Sequence, residues 1–131
     1  MANVAFDASA NAGAQTNVGS ATFNVTIAAN TNRYLLVTVQ SDAGAEVATS
    51  ITAGGTPLAS LGTVGANGNV TASIWGLAAP STGVVSVVVN VSTVLDWTAT
   101  AASLRQSPIS ETRMSRWFGT GNSQSPQVGY R

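Results

Sequence analysis

The sequence predicts an all-β antiparallel sandwich of jelly-roll or immunoglobulin-like type, with about eight strands. Three observations carry this reading. Apolar residues recur at every second position through most of the first hundred residues, which is the period of a half-buried strand. Turn clusters such as "NTN", "SDAGA", "GANGN" and "APSTG" interrupt these runs at roughly ten-residue spacing. Alanine is abundant but is mixed with β-branched residues and glycine at short intervals, so a helix is hard to place anywhere.

The elements follow in order. "NVAFD" reads as a short first strand over residues 3 to 7, and the small polar run "ASANAGAQTNVG" as a loop over 8 to 19. "ATFNVTIAA" puts Phe23, Val25 and Ile27 on one face and Thr22, Asn24 and Thr26 on the other. "RYLLVTVQ" sets Leu35, Val37 and Val39 against Tyr34, Leu36, Thr38 and Gln40; both faces are partly apolar, as in a central strand. "EVATSITAGGTPLASLGTV" reads as a hairpin in which Gly54 and Gly55 supply the positive φ that a two-residue loop needs. In "NVTASIWGLA", Val70, Ala72 and Ile74 form the apolar face and Thr71, Ser73 and Trp75 the opposite one, which leaves Trp75 exposed. "GVVSVVVNVS" is nearly continuous in valine, as a buried strand is. "LDWTATAASLRQ" alternates through Trp97, Ala99, Ala101 and Ser103; "TATAASLRQS" is the one stretch where a helical turn competes.

Periodicity stops near Gln106. This divides the chain into a sandwich domain, residues 1–106, and an extended C-terminal arm, residues 107–131. The arm is rich in Gly, Ser and Gln, yet it holds Arg113, Arg116, Trp117, Phe118, Tyr130 and Arg131. Aromatic side chains beside arginine are preferred anchors at protein interfaces, so these six are the candidate partner-binding residues.

Composition limits the chemistry. Charged residues are 8% of the chain, against about 25% in ordinary globular domains. The charges are unevenly placed. Residues 1–104 hold Arg33 against Asp7, Asp42, Glu46 and Asp96, a balance of −3. Residues 105–131 hold Arg105, Arg113, Arg116 and Arg131 against Glu111, a balance of +3. Cysteine, histidine and lysine are all absent, which removes disulfides, thiolate metal sites, the commonest general base and every Schiff-base option. The serines therefore lack an activating base, and no catalytic residue, cofactor or metal site is expected. Asp42 and Glu46 flank the loop "SDAGAE" and offer at most a weak cation site, short of the oxygen count that calcium prefers. The N-terminus lacks the basic and apolar regions of a signal peptide, and no run approaches the ~20 apolar residues of a membrane helix. The expectation is synthesis in a cytoplasm, without export by the general route and without a membrane partner. Neutral overall charge argues against a nucleic-acid partner, although four arginines stand near aromatics at the C-terminal end. The triplets at Asn24, Asn69 and Asn90 match glycosylation sequons and are read as polar strand faces.

The segments "VAFDASANAG", "NRYLLVTV", "SITAGGTPLASLG" and "ASIWGLAAPSTGVVSVVVNVS", followed by a last strand ending "AASLRQ", together resemble a β-sandwich domain common among bacteriophage structural proteins. The likeness runs in order over residues 4–106 and leaves the arm outside it. It implies a sandwich without enzymatic activity that serves as a virion component: a head decoration, head fibre or tail-associated protein. Within that class the expectation is a capsid decoration or cement protein. Its partners would be the major capsid protein or other virion subunits, it would act as a homo-oligomer such as a trimer, and it would reside in the virion. The competing reading is a glycan- or host-surface-binding module of a tail or fibre protein, stacking sugars on Trp75 and Trp97, or a subunit of an extracellular filament.

Overall fold

The computed structural model describes residues 3–42, 48–66, 69–92 and 96–107. Among the described residues, nine strands form two antiparallel sheets packed face to face: β1 Asn3–Asn11, β2 Ser20–Ile27, β3 Tyr34–Ser41, β4 Ala48–Ala53, β5 Thr56–Pro57, β6 Ala59–Ala66, β7 Val70–Ala78, β8 Gly83–Val91 and β9 Trp97–Ser107. The five-stranded sheet has the order β1-β9-β3-β7-β6 and the four-stranded sheet the order β2-β8-β4-β5. The unit Ala5–Arg105 carries this sandwich. The second unit, Met1–Val4 with Gln106–Arg131, lies mostly outside the described residues, and the expected arm falls there. Pairing is nested, β2 with β8 and β3 with β7, so early strands find late ones and the chain crosses repeatedly between sheets.

The core is where the two periodicities meet. β3 sits at the centre of its sheet and buries Leu35, Val37 and Val39; β8, central in the other, buries Val85, Val87 and Val89. Val25 and Ile27 of β2, Ile51 of β4 and Ala99 and Ala101 of β9 complete the packing.

Three expectations are corrected. The first strand does not stop at residue 7: β1 continues to Asn11, because Ala8 and Ala10 pack against the core. Phe6, between the half-buried Ala5 and Asp7, is exposed, and the burial phase then slips by one position at Asp7 and Ala8. The Gly54-Gly55 turn forms with both φ positive, 58° and 84°, but its hairpin is brief. Only Thr56 and Pro57 pair back onto β4; Leu58 then donates its N–H to Ile51 O at 2.9 Å, buries its side chain, and the chain crosses to become β6. The valine run of β8 is not buried throughout: Val85, Val87 and Val89 face in, while Val84 is 70% exposed. Residues 98–107 are strand, with no helical turn.

Both ends of the sandwich are closed by specific polar contacts. At the end that holds Tyr34, Arg33 donates from Nε and Nη2 to Pro80 O at 3.0 and 2.9 Å, and from Nη1 to Asn30 O at 2.8 Å. One guanidinium thus ties together two connections that cross between the sheets, a use suited to its fixed fork of donors. There Asp7 Oδ2 accepts Ala28 N–H and Ser103 Oγ–H, both at 3.0 Å, so that it also links the two sheets. At the end that holds Ser41, residues 12–19 fold across β9. Trp97 and Gln15 exchange backbone hydrogen bonds, and Trp97 Nε1 donates to Val18 O at 2.9 Å.

Candidate interaction surface

Strand register fixes which side chains share the outside of each sheet. On the five-stranded sheet the outward rows run Leu104–Tyr34–Ala78, Ala102–Leu36–Gly76, Thr100–Thr38–Ile74 and Thr98–Gln40–Ala72. β6 extends three of these rows, with Ala59 beside Gly76, Gly62 beside Ile74 and Val64 beside Ala72. No charged residue stands in any of these rows. Val64 is 72% exposed, Val70 50% and Ile74 44%; with Leu61 they make four of the eight exposed large hydrophobics among the described residues.

The surface is concave near the end that holds Ser41, where β3, β6, β7 and β9 meet. A groove of about 560 Å³ has Gln40, Val64, Val70, Ala72 and Thr98 along it, and Asp42 and Asp96 are also among its lining residues. The two aspartates are held together by the backbone, since Asp42 N–H donates to Asp96 O at 2.9 Å, and both side chains are exposed. A second depression of about 290 Å³, lined by Leu61, Gly62, Ile74 and again Val64 and Ala72, continues it along β6. A register shift between Ser60 and Gly62 sets Leu61 out of line. Its side chain and the Tyr34 ring then lie over Gly76, where a Cβ would meet Tyr34 Cε1 at 2.8 Å and Leu61 Cδ1 at 2.9 Å. Glycine is required there to let these two side chains cover the strand.

The residues singled out from the sequence fare unequally. Trp75 is 8% exposed and Trp97 4%, so neither presents a ring face for stacking on a sugar. The orientation expected for β7 is inverted: Thr71, Ser73 and Trp75 face the core, and Val70 and Ile74 face outward. The reason is size. An indole removes more apolar area from water than Val70 or Ile74, and once Trp75 pairs with Val37 the rest of the strand follows by alternation. Ser73 Oγ accepts the indole N–H at 3.2 Å, which satisfies the buried donor. Of the three sequon triplets, the one at Asn24 lies with Thr26 on an exposed face; the one at Asn69 does not, because Thr71 is buried. Arg113, Arg116, Trp117, Phe118, Tyr130 and Arg131 lie outside the described residues, as does Glu46, the companion of Asp42 in the suggested cation site. No group of three or more metal-ligating side chains occurs among the described residues. No helix there is long and apolar enough to cross a membrane.

The apolar outer face itself was missed. Its signals in the sequence are the double apolar character of "RYLLVTVQ" and the apolar pair Val70 and Ile74 of β7, which the expected alternation places inward. No protein-family model, curated protein or solved structure matches this chain.

Proposed function

We propose that this protein is a non-enzymatic structural subunit of a virus-like assembly, in the manner of a phage capsid decoration or cement protein. Its C-terminal arm, residues 107–131, docks on neighbouring subunits, which include the major capsid protein or further copies of itself. The observation that carries this reading is the uncharged outer face of the five-stranded sheet, with Val64, Val70 and Ile74 open to solvent. Contiguous exposed apolar surface of this kind marks a contact site on a soluble protein. Few charges need desolvating when such a face is covered. The arm adds arginines and aromatics of the kind that anchor interfaces. The resemblance of residues 4–106 to phage β-sandwich domains supplies the class of assembly, and the virion as its location. The sugar-binding alternative loses its support, because both tryptophans it relied on are buried.

Deletion of residues 108–131 tests the reading. The truncated chain is expected to fold, by circular dichroism and a cooperative denaturant transition, and to be missing from purified particles that contain the full-length chain. Normal incorporation of the truncated chain would falsify the docking role of the arm. Absence of the full-length chain from particles would overturn the virion reading as a whole.

A further inference from the structure

We propose that the groove between Asp42, Asp96 and Val70 is the receptor for residues 113–118, "RMSRWF", of a second copy of this chain. The inference rests on the docking-arm reading above and names the surface that the arm meets.

Charge complementarity selects the occupant. The groove is lined by Val64, Val70 and Ala72 together with the exposed residues Asp42 and Asp96, and none of its described lining residues is basic. A fitting ligand therefore carries apolar bulk next to two positive charges. The sequence has only five basic residues with which to supply them, all arginines. Arg33 is committed to Pro80 O and Asn30 O at the opposite end of the sandwich. Arg105 follows Leu104, which pairs with Tyr34 at that same far end. Arg113, Arg116 and Arg131 remain, and only the first two bracket an apolar cluster: Met114, Trp117 and Phe118 lie within or beside them. The planar guanidinium suits a carboxylate partner, and an indole or phenyl ring suits the valines. The path of the chain favours a neighbour's groove over its own. β9 begins at Trp97, beside the groove, and runs to the opposite end of the sheet, so the chain leaves the sandwich heading away from its own Asp42 and Asp96. A subunit that gives its arm to one neighbour and receives another's makes a head-to-tail contact, which closes into a ring where the rotation permits.

The absence of cysteine makes the test direct. Two full-length variants, Val70→Cys and Ser115→Cys, are mixed under mild oxidation with distinguishable tags. The expected result is a disulfide-linked heterodimer between the two tags. Its yield should fall roughly tenfold with Asp42→Asn and Asp96→Asn combined, and also on raising the salt concentration, because exposed ion pairs are individually modest and screened. Thr22→Cys, on the outside of the other sheet, replaces Val70→Cys as the control and should give only background. A heterodimer yield no higher than this control overturns the proposal. So does a bond that forms only within one molecule when both cysteines share a chain. Particle incorporation separates this inference from the function it rests on. If the arm is needed but the Asp42→Asn, Asp96→Asn chain enters particles normally, the groove assignment fails and the assembly role stands. If the arm is dispensable, the assembly role itself fails.

Discussion

The outside of the four-stranded sheet carries Ser20, Thr22, Asn24 and Thr26 on β2, with Ser86 and Asn90 beside them on β8 and Ser50 and Thr52 on β4. Val84 and Val88 are the apolar residues among them. The outside of the five-stranded sheet carries Leu104, Tyr34, Leu36, Ile74, Val64 and Val70, with Thr38, Thr98, Thr100 and Gln40 between them. The strand rows of both faces are free of formal charge, and Asp42 and Asp96 stand beside the groove at one end of the apolar face. The difference lies in how each face treats water. On the polar face, hydroxyls and amides reach solvent or each other, as where Asn90 Nδ2 donates to Ser50 Oγ at 3.0 Å. That face needs no partner. The other leaves large side chains in water without such compensation, and the chain covers one strand only by laying Tyr34 and Leu61 over Gly76. In a chain with so few charges, the Thr/Ser/Asn face meets water through hydroxyls and amides, whereas the other face meets it largely through apolar side chains.

Substitutions can break or sharpen this contrast. The largest effect is expected at Trp97, which lies under the edge of the groove and anchors residues 12–19. Trp97→Ala should cost about 3–5 kcal/mol in denaturant unfolding, from lost burial and the orphaned Val18 carbonyl. A loss under ~1 kcal/mol would mean that the groove end is not held by the indole. Next is Arg33, at the far end from the groove. Arg33→Ala should lower stability by about 2 kcal/mol, since hydrogen bonds from a charged donor are lost and the Pro80 and Asn30 carbonyls go unmet. Because both faces lean on these crossovers, association through the apolar face should be unchanged at temperatures where the variant is folded; a coupled loss of association would blur the separation of ends from face.

Smaller effects probe the faces themselves. Gly76→Ala should destabilise by about 1 kcal/mol, because the new methyl displaces the Tyr34 ring and Leu61, both of which can move. Displacing them uncovers more apolar surface, so binding of an environment-sensitive dye should rise; unchanged dye fluorescence would show that Tyr34 and Leu61 do not cover the strand. The smallest effect on stability is expected for the matched pair Ile74→Thr and Val84→Thr, each within about 0.5 kcal/mol of the parent. Their consequences for association should differ: Ile74→Thr reduces self-association measured by sedimentation, and Val84→Thr leaves it alone. Equal behaviour of the two would erase the distinction between the faces.

How far the sequence could be read depends on the kind of residue. "ATFNVTIAA" was legible because every second residue is apolar and the intervening ones are polar, and "RYLLVTVQ" because Leu35, Val37 and Val39 outweigh the mixed face of Tyr34, Leu36, Thr38 and Gln40. "NVTASIWGLA" was not. Its two faces have similar summed hydrophobicity, and alternation alone cannot tell which one turns inward. The hairpin at Gly54-Gly55 was legible in its turn and misjudged in its length, because the decision to leave β4 after Pro57 is made by Leu58 finding a core position. Residues 8–11 looked like loop because alanine and serine carry a weak strand signal, and their place beside β9 is a matter of packing. The groove was illegible for a different reason: its lining joins Asp42 and Asp96 to residues of β3, β6, β7 and β9, and no local spacing encodes that meeting.

By itself the sequence determined the antiparallel strands, the turns between them, the identity of the valine-rich core, and the small set of charges that confines the chemistry available. Those properties are local: they follow from period-two alternation, from glycine's access to positive φ, and from which side chains can ionise. Tertiary structure alone decided that Trp75 and Trp97 are buried, that Val70 and Ile74 face water, and that two aspartates share the lining of one apolar groove. Each of those outcomes is a competition between distant segments for the same interior volume, and the largest side chains, with partners for their polar atoms, win it.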